Sequence, residues 1–280
     1  ESYFVGYRKD LFDKYGKKPP ETLDDLLELA QFFNNKEPDL YGIALRGQRG
    51  NHFANGLMTV MYNFGAGFID QKTGQFTMNS PQMAQAMDYY VKLLKNAPPD
   101  VASYTHEEAA SAFMSGKAAM WLDSTAISSW ILDPEKSSVA DKVEFVPTPA
   151  GPVEKASGLA GWNVSISSKS KNKDAAWAFI VYMTSREKAY DYVTRGGTPV
   201  RTSILTNEEL IAKDRSLPVQ LRTLQNANIL VQQGISWVPP HEDLGKIMEI
   251  AGYYGNSALI GEMSVQDACE AAQKELEANL

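Results

Sequence analysis

Short apolar strands interleaved with longer amphipathic helices place this sequence in the α/β class. Three observations carry that reading. Residues 3–7, 41–45, 118–122 and 143–146 are brief apolar or β-branched runs bounded by turn residues. Between them, helix-start signals recur, with a threonine three residues ahead of an acid at Thr22/Asp25, Thr105/Glu108 and Thr206/Glu209. No self-similarity appears at a solenoid period, and 280 residues at roughly 150 per domain suggest two domains or lobes.

In chain order, Tyr3-Phe4-Val5-Gly6-Tyr7 reads as a strand that starts without lead-in, like the middle of a domain. After Pro19-Pro20, Thr22 caps a helix whose Leu23, Leu26, Leu27 and Ala30 follow the i, i+3, i+4, i+7 spacing of one buried stripe. A strand at 41–45 runs into Arg46-Gly47-Gln48-Arg49-Gly50, a loop of long donors between glycines. Residues 57–64 read as a helix ended by Gly65-Ala66-Gly67. Ser80-Pro81 starts another, because proline at the first helical position loses nothing by lacking its N–H; Met83, Met87, Tyr90, Val91 and Leu94 give it a buried face. A helix from Thr105 stops at Gly116, and the strand 118–122 follows, with Asp123-Ser124-Thr125 expected at its end. Ile127, Trp130 and Ile131 are spaced for a helix. Beyond the strand 143–146 and a Pro/Gly-rich excursion at 147–158, residues 162–166 alternate like a strand. Helices are expected over 175–183, 186–194, 218–231, 243–259 and 264–276.

Composition narrows the function. The 27 basic and 34 acidic residues leave a charge of -7, which on average repels nucleic-acid backbones and anionic membrane surfaces. Cys269 is the single cysteine, so no intramolecular disulfide and no thiolate metal cage can form. The longest apolar run, 175–183, falls well short of the roughly 20 residues that cross a bilayer. No basic n-region or cleavage site precedes Glu1, which excludes no compartment.

Catalytic signatures are missing. There is no Gly-x-Ser-x-Gly elbow, Walker loop, His-Glu-x-x-His helix or full Gly-x-Gly-x-x-Gly fingerprint, and His52, His106 and His241 stand singly. Gly65-Ala66-Gly67 follows a helix rather than a strand and reads as a turn. No cofactor and no metal site is indicated. What remains is aromatic and charged residues at turns and strand ends. Trp162, after Gly158-Leu159-Ala160-Gly161, could stack on the C–H face of a sugar or could be core.

The blocks Tyr7-Arg8-Lys9-Asp10-Leu11-Phe12 and Pro20-Glu21-Thr22-Leu23-Asp24-Asp25-Leu26 resemble the family 1 extracellular solute-binding proteins of bacterial ABC importers. Further matching blocks follow in the same order. They are Phe113 with Gly116-Lys117-Ala118-Ala119-Met120, then Gly161-Trp162-Asn163-Val164-Ser165-Ile166 and the helix Ala175-Ala176-Trp177-Ala178-Phe179, then Gly197-Thr198-Pro199-Val200-Arg201. The loop from Arg46 to His52 with Asn63-Phe64-Gly65-Ala66-Gly67-Phe68 is most similar to the branch that binds sugar alcohols.

The resemblance implies a type II, periplasmic-binding-protein-like fold of two α/β lobes that close on a ligand. It places residues 1–162 and 206–280 in the C-terminal lobe and 163–205 in the returning part of the N-terminal lobe with the hinge crossings. It implies a non-enzymatic capture protein for a sugar or polyol at the external face of the membrane, partnered by permease subunits. A periplasmic or cell-surface location goes with it, peripheral to the membrane, with a lipid anchor on a preceding segment as one option. A ligand-sensing receptor on this fold and a carbohydrate-active enzyme are the alternatives. Carried over residue by residue, the ligand-binding candidates are Trp162 and Gly161 from the Gly-Trp block, Asp123 after the Ala-Met strand, Arg201 from the last block, Gln48 and Arg49 from the donor loop, and Trp237 and His241. Relatives carry roughly a further hundred residues ahead of the first block. Ile166, Trp177, Phe179, Ile180 and Tyr182 are therefore expected to be uncovered when these 280 residues stand alone, favouring self-association and weak sugar binding.

Overall fold

The computed structural model describes residues Glu1–Leu280. Its sheet has four strands in the order β2-β3-β1-β4, comprising β1 (Tyr3–Arg8), β2 (Tyr41–Ala44), β3 (Ala118–Ser124) and β4 (Val143–Pro147). β2 runs parallel to β3, whereas β1 is antiparallel to both β3 and β4, with Phe4 opposite Asp123 on one side and Pro147 on the other. This registry brings the carboxyl ends of β2, β3 and β4 to the edge where β1 begins. β3 is buried at all seven positions, as a run covered on both faces should be.

The helices are α1 (Lys9–Lys14), α2 (Leu23–Phe33), α3 (Asn51–Met61), α4 (Pro81–Leu94), α5 (His106–Met114), α6 (Ser128–Ile131), α7 (Lys173–Met183), α8 (Arg186–Thr194), α9 (Thr202–Leu205), α10 (Glu208–Lys213), α11 (Leu217–Gln232), α12 (Leu244–Leu259) and α13 (Val265–Asn279). The capping boxes at Thr22 and Thr105 form in full: each hydroxyl accepts a first-turn N–H and each acid accepts the cap N–H. The third does not. Asn207 caps α10 instead, its side chain accepting from Leu210 N, because the helix starts one residue later than the Thr206 pattern suggests. α3 begins six residues earlier than its apolar pattern indicates and tightens at Tyr62–Phe64 before Gly65, at φ 71°, ends it. α12 lies against the start of α3 so closely that a Cβ on Gly252 would fall 1.8 Å from the Gly50 carbonyl oxygen.

One core of 63 buried residues extends from Tyr3 to Leu276. A separate cluster of five, Ala189, Ile204, Leu205, Leu210 and Leu217, holds α8 to α11 together. α7 stands apart: none of its residues is buried, and Trp177, Phe179, Val181, Tyr182 and Met183 are exposed. Residues 162–166 are not a strand. Their side chains alternate suitably, but a strand exists only where another pairs with it, and no backbone ladder reaches this stretch. β3 runs two residues further than expected, so Asp123 and Ser124 are strand residues paired with β1.

Candidate functional site

The polar centre of the sheet edge is an ion pair built by two neighbouring strands. Arg46 is the second residue after β2 and Asp123 the penultimate residue of β3, so parallel pairing sets them side by side. Arg46 Nε donates to Asp123 Oδ2 at 2.7 Å and Nη2 donates to Oδ1, a two-pronged contact that fixes the guanidinium plane. Asp123 Oδ1 also accepts the Ser124 N–H at 2.6 Å. The carboxylate side chain is 1% exposed and that of Arg46 13%. From behind, the buried Tyr90 hydroxyl donates to the Arg46 carbonyl at 2.7 Å. Burial pulls the Arg46 guanidinium towards neutrality, but the Asp123 charge and hydrogen bonds outweigh it and hold its pKa above the ordinary value. Burial pushes the Tyr3 phenol up to about 12, with Arg46 opposing, so this neighbour stays neutral.

Glu1 carries the edge outward. Its Oε2 accepts the Ser124 hydroxyl at 2.8 Å, and its Oε1 accepts the Trp162 indole N–H at 3.1 Å. Its backbone lies against Ala160, whose N–H donates to the Glu1 carbonyl at 3.0 Å. The Trp162 ring is 92% exposed and held only by its nitrogen, leaving both faces free for an apolar surface. Beside it opens a cavity of about 700 Å³ lined by Glu1, Gly161, Trp162, Tyr192, Leu224 and Asn228, among others. Gly161 has open space where a Cβ would sit, so no close approach requires glycine there.

Of the eight expected ligand residues, the structure brings Asp123, Gly161 and Trp162 to this edge. The others have other partners. Trp237 is 5% exposed, its ring 5.2 Å from Tyr3 and 5.1 Å from Tyr62, and it belongs to the core. Arg49 turns to α12, donating from Nε to Asn256 Oδ1 at 3.0 Å and from Nη2 to Glu262, with its guanidinium over the Tyr253 ring. Gln48 reaches only the Ser103 carbonyl, at 3.4 Å. His241 lies against Phe76, and its Nδ1 accepts the Asp243 N–H. Arg201 donates to the Thr184 carbonyl at the end of α7, while its neighbours Pro199 and Val200 line the cavity.

Arg46 is the main residue the sequence reading left out of the site. Its signal was a cation directly following a fully apolar strand. His52 and His106, far apart in sequence, also meet: their rings stack at 5.9 Å near Arg46, and His52 Nδ1 is buried without a partner. Burial first, then Arg46 and His106, lower the His52 pKa. No three His, Cys, Asp or Glu side chains converge as a metal site would require.

A family model described as bacterial extracellular solute-binding protein matches residues 2–190. The chain belongs to that family. Among curated relatives, a mannitol-binding protein of Pseudomonas aeruginosa is 32% identical over 292 aligned positions, covering 98% of this chain and 66% of its own length. An erythritol/L-threitol-binding protein of Mycolicibacterium smegmatis is 26% identical, covering 77% and 47%. The chain thus spans less than two thirds of these relatives. A solute-binding protein of Agrobacterium radiobacter in complex with ribitol superimposes with a TM-score of 0.88 at 28% identity, over 100% of this chain and 69% of that one. One from Agrobacterium vitis with bound D-mannitol gives 0.87 at 29% identity, over 99% and 70%. The fold is therefore the type II α/β fold of solute-binding proteins, and these relatives are binding proteins. No helix is long and apolar enough to cross a membrane.

Proposed function

We propose that this chain is the substrate-capturing component of an ABC importer, binding a sugar alcohol or related sugar without chemical change and handing it to permease subunits outside the cytoplasm. The observation that carries the reading is the sheet edge itself. An exposed indole is tethered through Glu1 to Ser124, the neighbour of the Asp123 that holds a buried guanidinium in a fork at the strand ends, where open α/β sheets hold ligands. A ring face suits the C–H side of a polyol and the polar centre suits its hydroxyls. Asp123, Gly161 and Trp162 are retained as site residues. Trp237, Arg49, Gln48 and His241 are assigned to packing and loop anchoring, and Arg201 to the rim.

The proposal also keeps residues 1–162 and 206–280 as one lobe and 163–205 as part of the other with its crossings. The bare apolar face of α7 supports that division, while the small cluster ties residues 189–205 to Leu210 and Leu217 across the boundary at 206. The test is calorimetric titration of the full-length protein with ribitol, D-mannitol, erythritol and maltose. Saturable binding of a polyol, recovered unmodified, supports the reading. Turnover of any of them, or binding of none, refutes it.

A further inference from the structure

Asp123 comes to the ligand edge with its oxygens already engaged, accepting from Arg46 Nε, Arg46 Nη2 and the Ser124 N–H. A carboxylate that is 1% exposed and so occupied has little capacity left for ligand hydroxyls. The guanidinium differs. Its third nitrogen, Nη1, makes no hydrogen bond within the protein and is not among the atoms sealed from solvent.

We infer that Arg46, rather than Asp123, meets the ligand, donating from Nη1 to a hydroxyl oxygen of a neutral polyhydroxy compound, with Asp123 as its positioning residue. The inference rests on the capture reading above. Its physical basis is that a buried ion pair is a weak source of stability and can often be exchanged for apolar residues without loss, so its presence at this edge needs another reason. Preorganisation supplies one. Asp123 fixes the guanidinium plane, and Tyr90 fixes the backbone that carries it, so the free donor is aimed before ligand arrives. Asp123 also cancels the Arg46 charge, so the pair reads oxygen lone pairs and gives a carboxylated sugar no advantage over a neutral polyol.

The experiment measures affinities of the full-length protein and its variants for ribitol, D-mannitol and D-gluconate, with the thermal midpoint of each unliganded variant. Arg46→Lys keeps a cation for Asp123 but removes the Nη1 donor; it should stay folded and lose about tenfold or more in affinity for the better polyol, as expected for a charged donor. Arg46→Met and Asp123→Leu singly leave a buried charge unpaired and should lower the midpoint. The double variant removes both charges and should recover the midpoint without recovering affinity. Wild-type affinity in Arg46→Lys or in the double variant overturns the inference while leaving the capture reading intact. Tighter binding of D-gluconate than of either polyol also overturns it. A wild-type protein that binds none of the three, nor erythritol nor maltose, overturns both.

Discussion

Trp162 and Trp237 were both expected to meet the ligand, and truncating each to alanine should separate their roles. Burying an aromatic side chain removes about 150–250 Å² from water, worth roughly 25 cal/mol per Å². Trp162 is 92% exposed, so the burial lost is on the order of 0.5 kcal/mol. Its hydrogen bond to Glu1 lies in water and adds no more than about 1 kcal/mol. Trp237 is 5% exposed between two tyrosine rings, and removing it leaves a cavity that costs about 3–5 kcal/mol. The unfolding entropy of a 280-residue cooperative unit is about 0.6 kcal/mol per kelvin and grows with chain length, so the expected fall in midpoint is at most about 5–9 °C for Trp237→Ala and under about 3 °C for Trp162→Ala. Binding should show the reverse. An aromatic anchor typically contributes about 1–3 kcal/mol, so Trp162→Ala should weaken the best polyol roughly 5- to 150-fold. The assays are differential scanning fluorimetry and calorimetric titration on the full-length protein. A Trp162→Ala variant that melts as low as Trp237→Ala, or binds with unchanged affinity, would refute the assignment of Trp162 to the ligand.

Gly252→Ala should destabilise by about 1–3 kcal/mol or more, seen in urea midpoints, because its Cβ would meet the Gly50 carbonyl at 1.8 Å and push α12 off α3. Asn63→Ala should cost about 1–3 kcal/mol, since it deprives the buried Ala156 N–H and carbonyl of their 2.6 and 3.1 Å partners; an unchanged midpoint would contradict that. His52 has a depressed native pKa, so below about 6.5 the unfolded chain takes up a proton the native chain resists. Stability from this group is thus complete above that pH and lost as pH falls towards the native pKa, and His52→Gln should flatten the urea midpoint between pH 7.5 and 5.5. The bare face of α7 should make the isolated 280-residue chain self-associate, with Trp177→Glu and Phe179→Glu together reducing its light-scattering mass.

The features legible in the sequence are those whose physics is local. Thr22 with Asp25 and Thr105 with Glu108 each satisfy helix N–H groups within four residues, so pattern and structure coincide. The apolar stripe of α2 works the same way. A strand is different, because its stability lies in a partner that the stretch does not contain. Residues 162–166 alternate well yet pair with nothing, whereas β3 gains two residues because β1 continues beside them.

The site follows the same division. Trp162 lies in the long irregular stretch between β4 and α7 and Trp237 follows a short turn, and nothing within a few residues says that Tyr3 and Tyr62 close over the second and leave the first bare. Arg46 and Asp123 are 77 positions apart, and only the parallel registry of β2 and β3 makes them a pair. That pairing changes the chemistry assigned to each. A free aspartate at a strand end is an acceptor for two hydroxyls; an aspartate already gripped by a guanidinium and a backbone N–H is a brace. The polar atom left open there is a donor, Arg46 Nη1, so under the proposed assignment the hydrogen bond to a ligand runs opposite to the one a free carboxylate would make, and no residue near either position in the sequence carries that information.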